Sequence, residues 1–299
     1  MRPRPTLLVA VLSLLLGLTS CGTGNPEPTA SATTIRFASY DFPENQILAE
    51  VYAEAARRAG LPVSVQHGVG TREVVMPALQ QGVVDVVVDY LGTALTFSRP
   101  SSPDLTRVPG EMHALLERTL GGRGVAVLQP ADAQDQNGFA VATAFASEHG
   151  IRSLSELGPL ASGLTFGGPP ECPDRPFCLQ GLRDTYGLHF GQVRSMPSRA
   201  ATVEALVSGE IDVGLLETTD ARLAVAPVTL LIDDRALQPP ENVVPLVRTA
   251  SIDRWGEKLR TALDEVSARL RTADLVSMNA AVETGGLTPQ EAAARWWDR

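Results

Sequence analysis

An α/β architecture with mostly parallel sheets is what this sequence predicts, on three observations. Short apolar stretches of strand length alternate with amphipathic stretches of helical period along most of the chain. One phrase occurs in each half: Ala78-Leu79-Gln80-Gln81-Gly82-Val83-Val84-Asp85-Val86 and Ala205-Leu206-Val207-Ser208-Gly209-Glu210-Ile211-Asp212-Val213 share the frame Ala-Leu-x-x-Gly-x-x-Asp-Val. Polar, proline-bearing segments at 129–138 and 238–242 interrupt the alternation and look like crossings between two parts.

Each copy of the phrase reads as the last turn of a helix, a glycine just past it and a short apolar strand. Each is followed by an acidic, polar stretch, Asp89-Tyr90-Leu91-Gly92-Thr93 in the first and Glu217-Thr218-Thr219-Asp220 in the second. Ligands of α/β sheets bind beyond the carboxyl ends of the strands. Two such ends suggest a ligand held between two similar lobes. Helix–glycine–strand is also common punctuation, and the repeat alone does not separate these readings.

The elements follow in order. A strand at 35–39 leads through Asp41 and Phe42 into a helix that ends near Gly60. Pro43 suits its first turn, and Ile47, Leu48, Val51, Tyr52, Ala55 and Ala56 keep the 3.6 period. A strand at 63–65, a helix opening at Thr71-Arg72-Glu73 and an all-apolar strand at 83–88 come next, the last of the buried parallel type. A helix over 112–120 and a strand at 125–128 precede the first crossing. Beyond it lie strands at 139–143, 164–166, 211–215 and 228–232, with helices ending at Gly150 and over 179–186 and 202–208. After Asp233-Asp234, the second crossing and a strand at 243–248, the chain reads as helical over 254–270, 272–282 and 288–299.

The N-terminus points to export. Arg2 and Arg4 precede an apolar run over 7–18, and Leu18-Thr19-Ser20-Cys21 follows. A basic start, a short apolar core and small residues before a cut form a secretory signal. The run is too short for a membrane span, which needs about 20 apolar residues. Leu-Thr-Ser-Cys also resembles a bacterial lipobox, which makes Cys21 the lipidated first residue of the mature chain. Residues 1–21 are then the signal and 22–33 a flexible polar tether. The net charge of −9 and the absence of basic clusters argue against a nucleic-acid partner.

Two cysteines remain, Cys172 and Cys178. Outside the membrane such a pair is expected as a disulfide. A metal site is the rival, and no accompanying spacing of His67, His113, His149 or His189 supports it. Catalytic signatures are missing: the sequence has no Gly-x-Ser-x-Gly elbow, no P-loop and no dinucleotide glycine fingerprint. Glu44, Asp89 and Asp220 leave an acid–base pair as the enzymatic alternative.

Five segments in order resemble the substrate-binding proteins of osmoprotectant ABC importers, which take glycine betaine, choline, carnitine or proline betaine. They are Phe42-Pro43-Glu44-Asn45-Gln46, the run from Val84-Asp85 to Asp89-Tyr90-Leu91-Gly92-Thr93, Thr219-Asp220, Asp233-Asp234 with Pro240-Glu241-Asn242-Val243-Val244-Pro245, and Asn279-Ala280-Ala281-Val282. The resemblance implies a two-lobed periplasmic-binding-protein clamshell (type II). Lobe one is then 34–133 with 241–299, and lobe two is 134–240. It also implies a monomeric, extracytoplasmic, lipid-anchored binding protein with no cofactor, serving ABC permease subunits.

A quaternary ammonium has no N–H to donate, so aromatic faces and carboxylates recognise it. The resemblance nominates Tyr40, Asp41, Phe42, Asp89, Tyr90, Thr93, Phe139, Arg175, Thr219 and Asp220 for the cleft. Tyr90 supplies a ring, Asp89 the negative field, and Arg175 meets a ligand carboxylate. Each has a structural alternative: a packed core ring for Tyr90, a helix cap for Asp89, a solvated loop residue for Arg175. Tyr40 stands where the family often has Lys, Val87 where it has Tyr, and Gln238 and Glu241 replace the aromatic of another family segment. The same fold with a different small-molecule ligand, or a sensor or scaffold lipoprotein, is the alternative function.

Cys21→Ala is expected to release the protein from membranes or to block its processing. Membrane fractionation showing the variant retained like wild type contradicts the anchor.

Overall fold

The computed structural model describes residues 33–99 and 106–299. Cys21, the signal 1–21 and all but the last residue of the tether 22–33 lie outside the described residues. Residues 34–299 form one compact unit built on two five-stranded sheets.

The first half runs β1 (Ile35–Tyr40), α1 (Pro43–Arg58), β2 (Val63–Gly70), α2 (Arg72–Gln81), β3 (Val86–Tyr90), α3 (Leu91–Ser98), α4 (Pro109–Gly121) and β4 (Val125–Val127). Then come β5 (Asn137–Ala142), α5 (Thr143–His149), β6 (Thr165–Gly168), α6 (Leu179–Tyr186), β7 (Gln192–Ser195), α7 (Arg199–Ser208), β8 (Val213–Glu217) and β9 (Val228–Leu230). The chain closes with β10 (Val243–Arg248), α8 (Thr249–Arg269), α9 (Thr272–Glu283) and α10 (Pro289–Trp297).

The sheet orders are β2-β1-β3-β10-β4 and β7-β6-β8-β5-β9. Both are mixed. The β2-β1-β3 and β7-β6-β8 halves are parallel, as the helix-linked strands require. The other half of each sheet is antiparallel, because β10 and β5 enter from the crossings in the opposite direction. Each sheet is covered on both faces by apolar side chains, which gives four clusters of buried residues. The crossings pair with one another: the Val243 amide donates to the Ala133 carbonyl at 2.9 Å, and the Gln136 side-chain amide donates to the Pro239 carbonyl at 2.7 Å.

The repeated phrase occupies the same place in both sheets. Its strands, β3 and β8, are the central ones. Its glycines end α2 and α7 in the left-handed region, Gly82 at φ 75° and Gly209 at φ 74°, where a side chain is costly. Its aspartates clasp the first strand of each parallel half. The Asp85 carboxylate accepts from the Arg36 amide at 2.9 Å, while the Asp85 amide donates to the Arg36 carbonyl at 2.8 Å. Asp212 repeats this with Thr165, at 2.7 and 2.9 Å. The clasps fix the register of β3 on β1 and of β8 on β6, and so bring the strand ends level.

Cys172 and Cys178 are joined, with Cα atoms 5.3 Å apart. Among the described residues no helix is long and apolar enough to cross a membrane. Helix α8 begins earlier than its sequence pattern suggests; a non-helical Gly256 at φ 63° breaks it internally.

Ala at either repeat glycine is expected to destabilise the fold. Gly209→Ala, with open space around the new Cβ, loses about 1–2 kcal/mol from left-handed strain. Gly82→Ala carries the same strain and also displaces the Arg248 guanidinium, whose Cζ lies 2.4 Å from that Cβ position. Urea unfolding midpoints check this; unchanged midpoints contradict it.

Candidate functional site

The carboxyl ends of β1 and β3 carry Tyr40 and Tyr90, and Phe42 stands between them. Phe42 is extended, at φ −116° and ψ 150°, as a residue before proline prefers. It stacks on Tyr40 at 6.1 Å and on Tyr90 at 6.5 Å between ring centroids, with interplanar angles of 16° and 23°. Both spacings fall within the usual range of about 4.5–7 Å. The result is a row of three rings.

Asp89 lies behind the row with no solvent exposure. It accepts from the Tyr40 hydroxyl at 2.5 Å, from the Tyr90 amide at 2.8 Å and from Arg72, whose Nη2 is 2.7 Å away. The Arg72 guanidinium also covers the Tyr40 ring at 4.7 Å. Burial works against the Arg72 charge, but the Asp89 carboxylate outweighs it and holds the guanidinium above its ordinary pKa.

Three further carboxyls sit close by. Glu44 accepts from the Tyr90 hydroxyl and from Asn279 Nδ2, the latter at 2.6 Å, and burial raises its pKa. Glu241 accepts from the Thr93 amide and hydroxyl, both at 3.0 Å; burial pushes it up to about 7. This approach needs Gly92, where a Cβ would lie 2.7 Å from Glu241 Oε1. Asp135, in the first crossing, is pushed up to about 8 by burial and then by the Glu44 charge. Its Oδ1 is buried with no hydrogen-bond partner among the described residues.

The ring row, Arg72, Glu241 and Asp135 border two adjoining cavities of ≈ 520 and ≈ 330 Å³, which share Phe42, Arg72, Thr93, Phe177, Pro239 and Glu241. The smaller is also lined by Tyr90, Asp135 and, from the second sheet, Asn137 and Glu217. The space therefore lies at the strand ends of both sheets, where the repeat suggested it.

The nominated residues divide. Tyr40, Asp41, Phe42 and Thr93 border the larger cavity and Tyr90 the smaller. Asp89 supports them from behind, its charge met by Arg72. Thr219 and Asp220 line a separate hollow of ≈ 210 Å³ beside Phe42, Glu44 and Asp135, and Asp220 is paired with Arg222. Phe139 lines none of these cavities: β5 turns it inward onto Phe166, and it is 1% exposed. Arg175 is exposed on the disulfide loop and borders none of them either. Phe177, two residues on, takes the cavity side of that loop, and Arg72 is the guanidinium at the cavity. Sequence reasoning missed Arg72, Asp135, Phe177 and Glu241 as cavity groups. An aromatic inside a short disulfide loop was the available signal for Phe177; nothing in the chain distinguished Arg72.

A family model described as the substrate binding domain of ABC-type glycine betaine transport systems matches residues 33–299, and the chain belongs to that family. The glycine-betaine-binding protein of Pseudomonas aeruginosa is 29% identical over 276 residues, covering 89% of this chain and 87% of that protein. The carnitine transport binding protein OpuCC of Listeria monocytogenes is 24% identical over 284 residues, covering 91% and 88%. In fold, the chain is similar to the crystal structure of a glycine betaine/carnitine/choline ABC transporter, with TM-score 0.81, 19% identity and coverage of 88% and 97%. Apo YehZ from Escherichia coli gives TM-score 0.81 at 22% identity, covering 89% and 98%.

The raised carboxyls set a pH dependence of folding. A carboxyl with a raised folded-state pKa favours folding while neutral; that contribution is complete below about pH 4 and is lost as pH rises through about 7–8. Asp135→Asn is fixed in the neutral form, so its stability relative to wild type should grow between pH 6 and pH 9, by on the order of 1 kcal/mol. Denaturant unfolding at both values measures this. A flat difference contradicts burial of an unpartnered Asp135.

Proposed function

We propose that this member of the glycine betaine transport family captures a quaternary ammonium compound of the glycine betaine or choline type outside the cytoplasm and delivers it to an ABC importer. The observation that carries the reading is the ring row Tyr40–Phe42–Tyr90, with Phe177 from the other side lining the same space and the carboxyls of Glu241 and Asp135 beside it. An ammonium bearing only methyl groups cannot donate hydrogen bonds; ring faces and negative charge are what attract it.

The two lobes would be 34–133 with 241–299, and 134–240, turning about the paired crossings. A ligand touching both favours the closed state, since each lobe adds contacts that only closure makes. A lipid on Cys21 would hold this monomer at the outer face of the membrane. A binding role is supported by the engagement of two of the three acid–base candidates: Asp89 is held by Arg72 and Asp220 by Arg222, while Glu44 accepts from Tyr90 and Asn279.

Calorimetry of the mature domain against choline, glycine betaine and carnitine tests the reading. At least one should bind, and Phe42→Ala should weaken it by about 0.5–2 kcal/mol, the range of a cation–π contact. Absence of binding by all three contradicts it, as does an unaffected Phe42→Ala.

A further inference from the structure

We propose that Asp135 sets the charge of the ligand: it makes the cavity prefer a monocation over a zwitterion, and it gives up its proton as the cation enters. The inference rests on the quaternary-ammonium reading and adds to it the ligand's net charge and a coupled proton.

The pairing of charges around the cavities carries it. Three guanidiniums reach this region, and each already has a carboxylate. Arg72 is paired with Asp89, Arg199 with Glu217 through Nε at 2.8 Å, and Arg222 with Asp220 at 3.1 Å. A ligand carboxylate would have to break one of these pairs to find a cation. A ligand cation meets the opposite situation. Among the described residues Glu44, Asp135 and Glu241 have no cationic partner, and of the three only Asp135 leaves a buried oxygen without any hydrogen bond. Asp135 borders both the smaller cavity and the hollow beside Thr219, so it lies between the lobes' contributions.

The groups facing Asp135 explain why its proton is held without a cation beside it. Burial and then Glu44 of α1, Glu217 at the end of β8 and Glu241 of the second crossing disfavour its charge, and the Thr219 hydroxyl favours it. Tyr90 of β3, Arg72 of α2, Arg199 of α7, Asp220 and Arg222 after β8, and Glu283 of α9 line the same two cavities; Arg72 is engaged by Asp89, Arg199 by Glu217 and Arg222 by Asp220. Carboxyls gathered around one partly buried space oppose one another's ionisation. An entering ammonium supplies the missing charge, Asp135 ionises, and its proton passes to solvent. No bond other than the O–H is broken. Glycine betaine brings its own carboxylate into the same acidic space and gains less.

The test is calorimetry at pH 7.0 with choline and glycine betaine, in two buffers of different ionisation enthalpy. Wild type should bind choline roughly tenfold or more tightly than glycine betaine, releasing about one proton per choline. Asp135→Asn should lose that release and bring the two affinities within roughly threefold. Asp135→Glu, which keeps the charge, should keep the preference. Unfolding at pH 6 confirms that both variants are folded. If glycine betaine binds as tightly as choline, or Asp135→Asn releases the same proton, the inference fails while the quaternary-ammonium reading stands. If neither ligand binds, the inference fails, and the quaternary-ammonium reading fails with it when carnitine does not bind either.

Discussion

A single buried charge organises the first lobe's side of the cavity. Asp89 has no exposure, and an ionised carboxylate in that position requires a partner and hydrogen bonds. Arg72 supplies the charge from the first residue of α2, Tyr40 a hydroxyl from the end of β1, and Tyr90 its amide. Removing one partner of such a pair typically costs about 3–5 kcal/mol. Meeting this requirement fixes α2 across the strand ends and holds the Tyr40 ring under the guanidinium. Phe42 then stacks on a ring that cannot swing away. The aromatic surface is preorganised by electrostatics that lie behind it.

The same economy appears on a larger scale. Each sheet uses one aspartate, Asp85 or Asp212, to lock its central strand to its neighbour, and one left-handed glycine to turn a helix into that strand. The strand ends of both sheets are thereby placed to face one space. Acidic groups gather there from α1, β8 and both crossings, while the nearby arginines are engaged. A cavity built this way has apolar ring faces, an excess of carboxyls and little free positive charge, which is the environment a methylated ammonium requires.

Sequence reasoning recovered what periodicity and repetition encode. The repeat marked the central strands, the polar segments marked the crossings, and the Phe42 and Tyr90 motifs marked two members of the ring row. What failed to show in the chain has physical causes. Strand β7, Gln-Val-Arg-Ser, is exposed along its whole length and carries no apolar pattern. Helix α3 starts directly after β3 without a capping side chain, so the sequence carries no start signal for it. Arg175 and Arg72 are equal as residue types; only the fold puts one on an outer loop and the other over Asp89. Phe139 belongs to an alternating strand, and its face was decided by which sheet face the core covers. Asp135 looked like one polar residue in a polar crossing until burial set it apart.

A crystal structure of the mature domain grown with choline measures the central claim directly. The ammonium nitrogen should lie within about 6 Å of the Phe42 and Tyr90 ring centroids, in the space bounded by Asp135, Glu241 and Phe177. Choline ordered elsewhere, or a cavity without it at saturating concentration, would contradict a site built from these rings and carboxyls.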